Sequence, residues 1–274
     1  MLTSVTLAML LGWATTASAA PGWTLVPTVD PSAGTNVLNG VAVRSSSDAW
    51  AVGQFTAPDQ DDDGLNMLTE RWNGSRWSQV RAPAVLHQDE SLLAVSASSA
   101  GDAWAVGFTK TVGAAGRFPL AVQWNGSAWA IVPTPTLTGG SKSTLNGVVA
   151  IGPADAWAVG RGRNGAALAE HWNGSAWSIV ASPSPASNDT LAGVAARSAT
   201  DIWAVGTRQD RSGAIPIDRT LTEHWNGTAW SVVASPNVGG NDNLLNGVAA
   251  TAGDIWAVGS SDVFAHTFAL RETG

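Results

Sequence analysis

Short runs of alternating apolar and polar residues recur along this chain, each stopped by a cluster of turn-forming residues. LNGVAV, from Leu38, alternates with the period of two that marks a strand, with Gly40 placed where backbones crowd. RSSSD follows as a polar turn, and AWAVG then reads as a second strand with Trp and Val on one face and Ala on the other. A third strand has the form LTEHW. The Asn-Gly after it is expected to supply the two positive-φ residues of a tight hairpin. SAWSIVASP reads as a fourth strand, ended by proline.

This four-strand unit repeats. DAWAVG occurs at residues 48, 102 and 155 and DIWAVG at 201 and 254, with RWNGSRW, QWNGSAW, HWNGSAW and HWNGTAW between them. Of the 15 tryptophans, all but Trp13 fall into three columns. Trp50, Trp104, Trp157, Trp203 and Trp256 form the first, and Trp72, Trp124, Trp172 and Trp225 the second. Trp23, Trp77, Trp129, Trp177 and Trp230 form the third. Each buried Trp removes roughly 200 Å² from water, worth at most about 5 kcal/mol, so the columns read as repeated core positions. Four antiparallel strands in a repeat of about 50 residues predict an all-β fold, a β-propeller. The period also suits kelch repeats, but the kelch glycine doublets are missing. GWTLVPTVD, from Gly22, matches a fourth strand without its first three, and the last repeat stops after a third strand. The expectation is therefore a five-bladed β-propeller over residues 21–274, with four antiparallel strands per blade and the N-terminal strand closing the last blade.

Residues 1–20, apolar and then ending in Ala17-Ser18-Ala19, have the form of a secretory signal peptide, although no Lys or Arg precedes the apolar run. A buried N-terminal helix is the competing reading. The apolar run is too short for a membrane span and nothing later in the chain approaches its length. The expectation is a secreted, extracellular, monomeric protein. Cysteine is absent, which excludes disulfides and thiolate metal sites. The formal charge is −7 and no Lys/Arg run exists in the sequence, which argues against nucleic acid and anionic membranes as partners.

Candidate chemistry is sparse. Asp48, Asp102, Asp155, Asp201 and Asp254 end a turn and are expected to bond nearby backbone N–H groups rather than catalyse. Glu70, Glu170 and Glu223 precede the WNG motif, with Val122 in that place in the second repeat; beside His171 and His224 they read as a solvated strand face with Glu–His contacts. His87 and His266 are isolated. The sequons at Asn73, Asn125, Asn173 and Asn226 follow from the hairpin; Asn188 adds a fifth. Propeller glycosidases need carboxylates converging in the central funnel. The innermost strands offer Asn39, Leu93, Asn146, Ala192 and Asn246 there, so no catalytic residue is assigned and the chain is read as a non-enzyme. DQDDDGLNMLTE, residues 59–70, fits D-x-[DN]-x-[DN]-G-x5-E, but strands rather than helices flank it, so it is no EF-hand. Asp59, Asp61 and Asp63 remain a candidate Ca²⁺ site, the alternative being a solvated acidic loop.

The repeats resemble those of bacterial secreted tryptophan-rich propellers of the DxWAVG…EHWNGxxW kind, and in architecture they resemble the five-bladed tachylectin-type lectins. That resemblance implies sugar binding at repeated sites, and no binding residue carries over. Length variation concentrates in the loops between strands two and three and between successive repeats, all at one end of the array. Their Asn, Ser, Thr and Gly residues, beside tryptophan, suit a glycan. The expected function is non-enzymatic carbohydrate binding through that face. The alternative is a protein-interaction or cell-surface module, and a glycoside hydrolase comes third.

Overall fold

A computed structural model of the chain describes residues 22–56, 64–85, 88–111, 116–135, 142–183, 188–262 and 266–273. It is all-β, with five antiparallel sheets in which each strand pairs with the next in sequence. Sheet 1 comprises β1 (Asn36–Ser45), β2 (Asp48–Thr56), β3 (Leu65–Trp72) and β4 (Trp77–Gln79). Sheet 2 comprises β5 (Gln88–Ser99), β6 (Asp102–Thr111), β7 (Phe118–Trp124) and β8 (Trp129–Ile131). Sheet 3 comprises β9 (Thr144–Gly152), β10 (Asp155–Arg161), β11 (Ala167–Trp172) and β12 (Trp177–Val180). Sheet 4 comprises β13 (Thr190–Ser198), β14 (Asp201–Asp210), β15 (Ile217–Trp225) and β16 (Trp230–Val233). Sheet 5 has three strands: β17 (Asn243–Ala250), β18 (Asp254–Ser261) and β19 (His266–Thr273).

The first strands β1, β5, β9, β13 and β17 pack side by side in chain order. They approach closely enough to need glycine. A Cβ on Gly147 would lie 3.1 Å from the Cα of Gly193 in the next sheet. The glycine of each WAVG motif has a stricter cause. The first strand bulges opposite it, and a Cβ on Gly107 would fall 1.9 Å from the carbonyl oxygen of Ser91. The expected result for Gly107→Ala is a loss of about 1–3 kcal/mol as the β5–β6 ladder gives way, measured by chemical denaturation.

Between the sheets lie the tryptophans. The Trp50 ring centroid is 5.0 Å from Trp124 and 4.9 Å from Trp129, both in the next sheet. Trp104 meets Trp172 and Trp177 in the same way, and Trp157 meets Trp225 and Trp230. Each pair of sheets therefore shares a core that neither sheet has alone.

Closure by the N-terminal strand does not occur. Residues 23–30 form no strand, and Trp23 is 82 % exposed. Their downstream end is tied to sheet 1 instead, where Val29 donates its backbone N–H to Glu70 Oε1 at 3.2 Å. The two outer flanks stay bare: Val41 and Val43 on β1 are exposed, and so are Trp256 and Val258 on β18. Against sheet 4, sheet 5 brings Leu245, Val248, Ala257, Phe268 and Leu270, with no tryptophan pair among them. The five sheets thus form an open array, not the closed five-bladed ring expected from the strand count.

The hairpin between the third and fourth strands also differs from expectation. Only its glycine has positive φ, as at Gly74 with φ 95°. The Asn73 side-chain oxygen accepts from the N–H groups of Ser75 and Arg76 and from the Ser75 hydroxyl, and the same three bonds recur at Asn125, Asn173 and Asn226. The Ser or Thr of each N-G-[ST] triplet is thereby part of the turn, an Asx-type arrangement spanning four residues.

Candidate functional site

At the end of the array that carries the short, uniform turns, the aspartate column has a structural role, but not through backbone turns. Asp48 pairs with Arg71 at 3.1 Å and Asp102 with Gln123 at 3.0 Å; Asp155 and Asp201 pair with His171 and His224, each at 2.9 Å. Asp254 pairs with Arg271 at 2.7 Å. The residue before the second-column tryptophan, or in its place in sheet 5, is thus always a side-chain donor: Arg, Gln, His, His, Arg. That run of donors, paired with an aspartate that is constant in all five copies, is present in the sequence. His171 and His224 also stack on Trp157 and Trp203, each with centroids 4.5 Å apart. They contact aspartate rather than the neighbouring glutamates.

The glutamate column corrects the sequence reading more sharply. Glu70, Glu170 and Glu223 are fully buried, as is Glu90 on β5. These glutamates point into the packed interior rather than to water; in sheet 1, which has one neighbouring sheet, the N-terminal segment meets Glu70 at Val29. Glu223 accepts from the Ser182 hydroxyl at 2.8 Å, and Glu90 accepts from the Val85 N–H. Neither oxygen of Glu170 has a partner among the described residues. Burial pushes the Glu90 and Glu223 carboxyls up to about 7 and the Glu170 carboxyl up to about 8. Perturbed carboxylates often mark active sites. These four belong to sheets 1 to 4, one in each, and are sealed from solvent, so they do not provide the facing carboxylate pair of a glycosidase.

The opposite end, where the loops vary, opens into clefts between sheets. One cleft of about 480 Å³ lies between sheets 3, 4 and 5. Asn188, Thr207, Gln209 and Asp218 give it a polar wall, and Leu244 and Leu245 an apolar one. Asn188 holds φ at 74°, donates to Gln209 Oε1 at 3.0 Å and accepts from Arg161 at 3.1 Å, so the polar wall is braced. A second cleft of about 570 Å³ lies between sheets 2 and 3, reaching Thr190 of sheet 4. Tryptophan lines neither cleft; the ring columns are spent in the cores between sheets. Of the inner-strand positions, Asn39 and Asn146 do not face a ligand but donate to the Leu92 and Leu191 carbonyls of neighbouring sheets, each at 2.8 Å.

The proposed calcium ligands Asp59, Asp61 and Asp63 lie outside the described residues, as do the segment 1–20 and His87. Among the described residues no group of three His, Cys, Asp or Glu side chains is placed to hold a metal ion, and no helix is long and apolar enough to cross a membrane.

No protein-family model and no curated protein matches the chain. Solved structures do. The chain is similar to a GH74 xyloglucanase from Xanthomonas campestris, at TM-score 0.56 and 13% identity over 86% of this chain and 37% of that one. It is similar to a protein of unknown function from Dyadobacter fermentans, at TM-score 0.55 and 10% identity over 86% of this chain and 76% of that one. It is also similar to the fucose-recognising fungal lectin of Aleuria aurantia, a six-bladed β-propeller, at TM-score 0.50 and 11% identity over 85% of this chain and 73% of that one. The likeness to a six-bladed ring agrees with the bare flanks, because five sheets set at that curvature leave an arc. It overturns the five-bladed expectation, and at these identities it establishes the fold alone: the chain folds as a β-propeller.

Proposed function

We propose that this propeller is an exported, non-enzymatic carbohydrate-binding protein that takes its ligand in the clefts of the variable-loop end. The observation that carries this reading is the braced cleft between sheets 3, 4 and 5. Amide, hydroxyl and carboxylate groups from Asn188, Thr207, Gln209 and Asp218 face an apolar wall of Leu244 and Leu245. A sugar ring has the matching character, with hydroxyls at its edge and C–H groups on its faces. The similar solved structures include a lectin that recognises fucose and an enzyme named for xyloglucan, which is consistent with a saccharide ligand.

A glycan array followed by calorimetry tests the reading. Binding of a defined saccharide is expected, weakened at least about tenfold by Gln209→Ala together with Thr207→Val, since each buried hydrogen bond lost costs about 1–2 kcal/mol. Complete silence across neutral and charged glycans would instead favour protein recognition by the same face.

A further inference from the structure

Four cations converge on the cleft between sheets 2 and 3. Lys110 and Arg117 come from sheet 2, and Lys142 and Arg161 from sheet 3. The chain has only two lysines, and both are here. No carboxylate is among the described residues lining this cleft, in a protein of net charge −7. The sequence conceals the cluster, because each cation stands alone in its own loop or strand end.

The backbone builds the cluster. Arg117 and Lys142 form a parallel β-bridge between the two sheets, and the Ser143 N–H donates to the Arg117 carbonyl at 3.1 Å. This sets two cationic residues of different sheets next to each other. The Arg117 guanidinium lies 4.1 Å from the Phe108 ring centroid, which holds it in place. Arg161 is fixed by its bond to Asn188, yet its Nε is buried and meets no acceptor. Lys110 is partly countered by Asp89 at 3.8 Å. Thr144 lines the same wall, its hydroxyl donating to the Asn146 side chain at 3.0 Å.

Comparison with sheet 4 shows that the charge is no by-product of the repeat. Lys110 lies six residues after Trp104, and the same step from Trp203 reaches Gln209. Arg117 lies seven residues before Trp124, and its counterpart before Trp225 is Asp218. Lys142, three before Leu145, corresponds to Asn188 before Leu191; Arg161, four after Trp157, corresponds to Thr207. The framework positions repeat while these four change from cationic to neutral or acidic. Variable positions on a repeated scaffold are where differences in binding arise.

We infer that the cleft between sheets 2 and 3 binds the anionic group of an acidic saccharide, a carboxylate or sulfate, held by Lys110, Arg117, Lys142 and Arg161. This rests on the carbohydrate-binding reading and names the ligand class for one of its two clefts. Arginine fits a carboxylate or sulfate through paired N–H donors, and lysine adds a point charge. A cleft with low-dielectric walls strengthens both by focusing the field. Nucleic acid is disfavoured, because its phosphates need a track of cations and these four occupy a single recess.

The test is calorimetric titration of the full chain with tetragalacturonate, which carries carboxylates only, and a carrageenan tetrasaccharide, which carries sulfates only, alongside a neutral cellotetraose and a single-stranded oligonucleotide. At least one acidic saccharide is expected to bind at least about tenfold more tightly than the neutral one, with affinity falling as salt is raised; which of the two binds separates carboxylate from sulfate. Lys110→Gln with Lys142→Gln, neither side chain being buried, is expected to remove that preference and Lys142→Arg to retain it. Neutral and acidic saccharides binding equally would overturn this inference while leaving the lectin reading intact. Silence with every saccharide, the neutral glycans of the array included, would overturn both. An unchanged affinity in the double-lysine variant would place the anion elsewhere, and tighter binding of the oligonucleotide would replace the saccharide with nucleic acid.

Discussion

Trp104→Ala is expected to destabilise the protein by about 3–5 kcal/mol, the range for removing a buried aromatic side chain. The ring is fully buried and touches Trp172 and Trp177 of the neighbouring sheet at centroid distances of 5.0 and 4.8 Å. The cavity would open between two sheets whose shared core is built around this cluster, so little can collapse to fill it. In a chain of this size that loss corresponds to a fall in melting temperature on the order of 10 °C. Trp256→Ala supplies the internal comparison. It occupies the same column but is 46 % exposed, and its truncation should cost about 1 kcal/mol or less. Equal melting shifts for the two variants would mean that the columns do not carry the inter-sheet core.

Stability should also fall as pH rises from about 4.5 to 8. Burial raises the carboxyls of Glu90 and Glu223 to about 7 and that of Glu170 to about 8, from an ordinary 4.5. In that window the folded chain keeps protons that the unfolded chain has released. The favourable contribution is therefore complete below the ordinary value and is lost as pH climbs through the raised ones. At the acid end the sign reverses. Burial opposes ionisation of Asp48 and Asp201, but the guanidinium groups of Arg44 and Arg71 at the first, and of Arg197 at the second, hold both below 3.8. Their contribution is present above 3.8 and disappears as pH falls through the lowered values. The optimum consequently lies near pH 4–5 rather than at neutrality. Glu170→Gln should flatten the alkaline limb, with a gain on the order of a few kcal/mol at pH 8 and little change at pH 5, because a neutral amide replaces a carboxylate that has no partner among the described residues. Urea denaturation across the pH range decides the matter, and an unchanged alkaline limb in the variant would assign it to other groups.

The repeat, its strands and the burial of most tryptophans were legible in the sequence, because each rests on local information: period-two alternation, turn chemistry and recurrence. The glutamate column was misread because alternation alone marks Glu170 as polar-out. Only the packing around the third strand shows that this position faces the interior. Closure was misread for a related reason. Counting strands says which pieces match, but curvature is set by how far apart neighbouring sheets sit. The match of GWTLVPTVD to a fourth strand is real as a pattern, yet its far end binds Glu70 of sheet 1 and not the edge of β19. The cationic cleft was invisible because Lys110, Arg117, Lys142 and Arg161 become neighbours only through the bridge between two sheets.

The bare flanks of β1 and β18 change how the molecule holds together. Sheets 2, 3 and 4 are each gripped on both sides, whereas sheets 1 and 5 each have one partner. Such an assembly obeys nearest-neighbour coupling, as a row of stacked units does. Loss of an inner unit severs two interfaces and loss of a terminal unit severs one, so unravelling starts at the extremities and travels inward. A closed ring has no such starting point, and an arc has two.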